Sequence, residues 1–257
     1  MDIISIIENK NNNILSCLLL TLFFNKNYIY NTFLESDNLQ PNIIYFQEII
    51  KNIINNNNYF KIISNSNINY LKNILLFNYF ENFTNLYKNN NIIDLYDFLF
   101  NIFNIQKIEL INTKKNSEIE THNFIDLIPL DNNTDIKTLI SLTFENKILQ
   151  NIPNFMAFKI NRNNEFAYLD IKKKITINSI YNNDILTINT ITSDSNKLIW
   201  KIHGIICYDK INDCYFSFIN NYDDWYLISS NSITKIYIKN YENDIKSKSV
   251  FILYIFS

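Results

Sequence analysis

Residues 200–218 read Trp200-Lys-Ile-His-Gly-Ile-Ile-Cys-Tyr-Asp-Lys-Ile-Asn-Asp-Cys214-Tyr-Phe-Ser-Phe218, and residues 225–229 read Trp225-Tyr-Leu-Ile-Ser229. Apolar side chains alternate with other residues before and after a break at 209–213, and this alternation predicts two strands joined by a turn. The run Phe251–Phe256 is continuously apolar, as in a buried strand. The C-terminal part of the chain therefore predicts a sheet whose strands are close neighbours in sequence.

The first hundred residues carry helical periodicity. Pro41 suits the first position of a helix, and apolar residues recur at helical spacing from Ile43 to Ile54. The segment 92–103 repeats this spacing, and from residue 105 onward the pattern changes to that of strands. Helices followed by a sheet predict an α+β fold in a single domain, 1–257.

Charge and hydropathy exclude several classes of partner. The net charge of −2 provides no electrostatic reason to expect binding to nucleic acid or to an acidic membrane. The longest apolar run, 18–24, is too short to cross a bilayer, and no basic segment precedes it as in a signal peptide. We therefore expect no nucleic-acid and no membrane partner.

The three cysteines show neither disulfide nor zinc-ligand spacing. The simplest interpretation is a reducing intracellular location, cytoplasmic or nuclear, and no cofactor.

Five motifs follow one another along the chain. The first is Asn12-Asn-Ile-Leu-Ser-Cys17-Leu-Leu-Leu-Thr21, and the last is the Cys214-to-Ser229 segment already quoted. Between them lie three shorter motifs, which are Asp94-Leu-Tyr-Asp97-Phe-Leu99, Phe124-Ile-Asp-Leu-Ile-Pro-Leu130 and Ile152-Pro153 through Arg162. In this order and with these gaps they resemble the motifs of the ubiquitin-specific proteases, the papain-like deubiquitinases.

The resemblance implies a catalytic site that has lost most of its chemistry. Cys17 falls on the family's nucleophile and Asn12 on the residue that helps to form the oxyanion hole. Cys214 stands where the family has its catalytic His, and Ser229 where it has the Asp or Asn that orients that His. A thiol supplies neither a base nor a cation for a neighbouring thiolate, so activity should fall by several orders of magnitude.

Some chemistry could remain at Cys17. The family pattern places it at the start of a helix 18–24, where the helix dipole would lower the pKa of the thiol. On this basis, replacing Cys214 by His and Ser229 by Asp is expected to recover some activity. Alternatively, Cys17 is an ordinary buried cysteine, and Asn12 matches by accident in an Asn-rich chain. The chain has two histidines, His122 and His203, and both are expected to have no catalytic role.

Four further residues, called the tail residues below, match family positions around the C-terminal tail of ubiquitin. They are Asp94, Asp97, Tyr215 and Trp225. The two acids lie one helical turn apart, so they share a side of their helix. Alternatively, they are ordinary surface acids, and the two aromatic residues only pack.

The family also implies the layout of the domain. It predicts a helical thumb at 1–104, a reduced finger at 105–123 and a sheet-forming palm at 124–257. Members often hold zinc through two Cys-x-x-Cys pairs in the finger, whereas here Lys107–Asn123 contains no cysteine. The finger is therefore expected to be short and free of metal.

Three functions follow as alternatives. The first is a catalytically degenerate protein that binds ubiquitin or ubiquitinated proteins, or acts as a scaffold. The second is an active cysteine deubiquitinase that uses Cys17 with an unconventional base. The third is an interaction protein that no longer binds ubiquitin.

Overall fold

The computed structural model describes residues 12–24, 28–35, 40–55, 69–77, 86, 91–112, 118–129, 133–161, 168–171, 174–182, 185–188, 196–222, 224–229 and 232–256. The chain forms two compact units. The first consists of residues 1–105 and 206–237, and the second of residues 106–205 and 238–257.

Helices make up the N-terminal part of the first unit. They are α1 (Asn12–Phe23), α2 (Tyr28–Leu34), α3 (Pro41–Asn55) and α4 (Ile92–Ile102), and residues 69–77 are also helical. Pro41 occupies the first position of α3, as its missing N–H allows. Helix α4 begins where the Asn91 side chain accepts a hydrogen bond of 3.0 Å from the backbone N–H of Ile93.

Phe33 of α2 lies at the centre of the helical core. Its ring is fully buried and makes edge-to-face contacts with the rings of Phe23, Phe100 and Phe103, at centroid distances of 5.8, 6.0 and 5.6 Å. Aromatic side chains from three helices therefore hold this unit together.

A meander of strands completes the first unit. The last residues of β10 (Asn196–Asp209) are followed by β11 (Cys214–Asn221), β12 (Asp224–Ser229) and β13 (Ser232–Ile236), which lie side by side in that order. Their pairing is antiparallel from β11 to β13, with Ser217 opposite Ile228 and Ser229 opposite Ser232. Helix α1 packs on β11 and β12.

The second unit contains the first part of β10 and the other described strands, which are β1 (Ile108–Asn112), β2 (Ile119–His122), β3 (Ile125–Leu127), β4 (Asn133–Asp135), β5 (Lys147–Leu149), β6 (Phe155–Ile160), β7 (Tyr168–Asp170), β8 (Lys174–Asn182), β9 (Ile185–Ile188) and β14 (Ser249–Phe256). Two helices, α5 (Ile136–Thr143) and α6 (Glu242–Lys248), accompany them. Antiparallel neighbours run in the order β10, β8, β9, β5, β1, β2, and β6 lies between β14 and β3. The fully buried Trp200 anchors this unit, because its Nε1 donates to the Pro153 carbonyl at 3.2 Å and its ring contacts Phe256.

These elements confirm the predicted α+β class. The helical pattern ends before residue 105, and the first strand begins at Ile108. The alternating segments near the C-terminus are strands β10 and β11, and the apolar run is β14. The assignment of 1–257 as one domain, with a thumb, a finger and a palm, stays a prediction.

The predicted finger region contains an antiparallel hairpin of β1 and β2, with Ile108 opposite His122. Residues 113–117 lie outside the described residues. The described residues contain no group of three or more His, Cys, Asp or Glu side chains that could hold a metal ion.

We expect the protein to fold without zinc. Structural zinc needs about four ligands, and removal of such a metal unfolds a domain that depends on it. Urea unfolding with and without EDTA should therefore give the same midpoint. A midpoint that falls in EDTA and returns on addition of zinc would contradict this expectation.

Candidate functional site

All eight residues that the sequence predicts for the site belong to the first unit. Cys17 and Asn12 lie in α1 and the two acids in α4, whereas the other four lie in β11 and β12. The side chain of Asn12 is outside the described residues, so its predicted role in an oxyanion hole stays a prediction.

Cys17 is a buried thiol. It is the sixth residue of α1 and is 2 % exposed. Its sulfur lies against the hydroxyl groups of Ser217 and Thr21. Burial raises the pKa of the Cys17 thiol to about 12, although both hydroxyls lower it, and the nearby Cys214 raises it further. This environment therefore favours the neutral thiol over the thiolate.

The expectation that Cys17 begins a helix is therefore wrong. Residue 14 in the motif 12–21 is Ile, whereas the ubiquitin-specific proteases have Gly at this position. No residue from Asn12 to Phe23 interrupts the helix. The free backbone N–H groups of α1 belong to its first four residues, and the rise along a helix places them several ångströms before Cys17. Neither the helix dipole nor its free N–H groups are available at the sulfur.

Cys214 and Ser229 lie at the same end of their strands. Tyr215, Ser217 and Ile219 are buried on one face of β11, whereas the other face carries the half-buried Cys214 and the fully buried Phe218. Ser217 pairs with Ile228, so Ser229 lies one residue further along β12 and shares the face of Cys214. The Ser229 hydroxyl is hydrogen-bonded to the Ser232 hydroxyl at 2.7 Å.

Among the described residues, those that influence the pKa of Cys17 are Ser217, Thr21 and Cys214. The residues that contact the sulfur supply two hydroxyls, and Cys214 supplies a second thiol. Hydroxyl groups and a neutral thiol are much weaker bases than the imidazole that a cysteine hydrolase uses. The roles of Cys17, Cys214 and Ser229 as remnants of a catalytic triad stay a prediction.

The two histidines of the chain lie in the second unit. His203 in β10 is 1 % exposed and interacts within the protein. His122 in β2 lies with its Nε2 3.4 Å from Glu120 Oε2. The Lys147 ammonium is 2.7 Å from the same oxygen and lowers the pKa of Glu120. Both histidines therefore have structural partners.

The tail residues with aromatic side chains are buried. Tyr215 is 9 % exposed, and its hydroxyl lies at the backbone N–H of Ile92, the first residue of α4. Burial raises the pKa of Tyr215, and the negative charges of Asp94 and Asp213 add to this effect. Trp225 is 5 % exposed, and its Nε1 has no hydrogen-bond partner in the described part of the chain.

The acidic tail residues are half-buried on α4. Asp94 lies in the first turn of that helix, where a negative charge is favourable. Asp97 accepts a hydrogen bond of 3.3 Å from the Asn101 side chain, one turn further along.

Sequence reasoning assigned no role to Ser217 and treated Thr21 only as a matching residue of the motif 12–21. The Ser217 hydroxyl is buried against the Cys17 sulfur and makes no hydrogen bond of ordinary geometry among the described residues. The Thr21 hydroxyl donates to the Cys17 carbonyl at 2.7 Å. Alternation along β11 places Ser217 on the buried face of Tyr215, so the pattern of the strand could have identified it.

The buried thiol should make stability depend on alkaline pH. The folded state binds this proton more tightly than the unfolded chain, so its contribution is complete below pH 9 and is lost as the pH rises toward 12. The free energy of unfolding should fall by about 1.4 kcal/mol per pH unit on account of this one group. Urea unfolding of the protein and of Cys17→Ala between about pH 8 and pH 10.5 measures the difference in slope. Equal slopes would show that Cys17 is not held as a neutral thiol.

No protein-family model matches the chain, and no curated protein matches it. Among the described helices none is long and apolar enough to span a membrane.

Solved structures resemble the fold along nearly the whole chain. Ubp8 in the SAGA DUB module bound to monoubiquitin matches with a TM-score of 0.67 and 10 % identity, over 97 % of this chain and 68 % of Ubp8. The pseudoubiquitin hydrolase-RNA exonuclease module of Saccharomyces cerevisiae Pan2 matches with a TM-score of 0.60 and 11 % identity, over 97 % of this chain and 52 % of that one. The Pan2 pseudoubiquitin-hydrolase from the same organism matches with a TM-score of 0.54 and 10 % identity, over 96 % of this chain and 86 % of that one.

These matches confirm the fold that the motifs predict. At about 10 % identity they establish the fold and leave the activity open. The chain has the α+β fold that the ubiquitin-specific proteases share with the pseudoubiquitin hydrolase of Pan2.

Proposed function

We propose that the protein is a catalytically degenerate relative of the ubiquitin-specific proteases, which binds ubiquitin or ubiquitinated proteins without cleaving them. It acts inside the cell, as a binding protein or scaffold. Its three cysteines are free thiols, as a reducing compartment favours.

The burial of the Cys17 thiol is the main observation that supports an inactive protein. A cysteine hydrolase needs a thiolate, a base and donors for the oxyanion. Cys17 has a pKa of about 12 and is 2 % exposed inside α1. Cys214 and Ser229 replace the residues that would supply a base and orient it. The buried thiol and the replacement of these two residues support the proposal that the protein does not hydrolyse ubiquitin conjugates.

The likeness in fold supports ubiquitin as the partner. Ubp8 was solved bound to monoubiquitin and also to ubiquitin aldehyde, in both cases with a TM-score of 0.67 to this chain. Pan2 is a precedent for a protein of this fold that is described as a pseudoubiquitin hydrolase.

Two measurements test the proposal. Titration with monoubiquitin should show saturable binding, and a ubiquitin–fluorophore conjugate should stay uncleaved. Cys17→Ala should leave both results unchanged, as should the matched control Cys207→Ala at another buried cysteine. Turnover that Cys17→Ala abolishes would identify an active deubiquitinase instead. Absence of ubiquitin binding would favour an interaction protein that has lost this partner.

A further inference from the structure

We draw no further inference here: the strongest candidate, the exposed surface patch formed by the contacting rings of Tyr45 on α3 and Tyr70 in the helical residues 69–77, carries no proposal because nothing in the described part of the chain shows what covers it.

Discussion

The double variant Cys214→His, Ser229→Asp should not cleave a ubiquitin–fluorophore conjugate. An adjacent imidazolium lowers the pKa of a neighbouring acid by about 1–3 units. From a pKa of about 12 this leaves at most about 1 % of the Cys17 thiol ionised at pH 7. The sulfur would still be buried against Ser217. The resemblance alone predicts partial recovery, and the two expectations differ because the resemblance places Cys17 at the start of a helix, whereas the structure buries it inside α1.

The backbone of α1 is a second reason to expect no cleavage by the double variant. Residue 17 lies inside α1, so its N–H is bonded to the carbonyl four residues earlier and is not available to an oxyanion. Loss of a single oxyanion donor lowers kcat about 10²–10³-fold in enzymes where it has been measured. Two side-chain replacements do not change this geometry.

The measurement is the rate of fluorophore release. It is compared among the wild-type protein, the double variant and a triple variant that also carries Cys17→Ala. All three should stay at the background rate. Release by the double variant that the triple variant loses would show that Cys17 can reach the substrate. That outcome would contradict the buried position of the sulfur as well as the proposed inactivity.

Phe33→Ala should destabilise the first unit by about 3–5 kcal/mol. The ring is fully buried and touches three other phenylalanine rings, so its removal leaves a cavity in the centre of the helical core. Urea unfolding followed by circular dichroism measures the change in free energy.

Phe77→Ala is the matched control. Phe77 is 86 % exposed, so the same substitution should change the free energy of unfolding by less than about 0.5 kcal/mol. Equal effects of the two substitutions would mean that Phe33 is not in a packed core.

Patterns that extend over several residues predicted the elements of the fold. Helix α3 begins at Pro41 because proline lacks an N–H and has a suitable φ angle. Strands β11 and β14 lie where alternating and continuous apolar residues indicated them. The order of five motifs predicted the ubiquitin-specific-protease fold, which the solved structures confirm although identity is about 10 %.

The start of α1 could not be predicted from the motif. The family pattern, transferred to this chain, places the helix after the cysteine. The residues from Asn12 to Ser16 contain no helix breaker, so the helix extends through Cys17. Local propensity here overrides the position that the resemblance implies.

The sequence by itself therefore determined the α+β class and the order of its elements, whereas the match of Cys214 and Ser229 to the family's His and Asp stays a prediction. Only the tertiary structure decided that the Cys17 side chain is buried. The packing of α1 on β11 removes the sulfur from water and places Ser217 against it. The pKa of a thiol depends on its solvation and on neighbouring groups, and two of these neighbours, Ser217 and Cys214, lie about two hundred positions away in the chain.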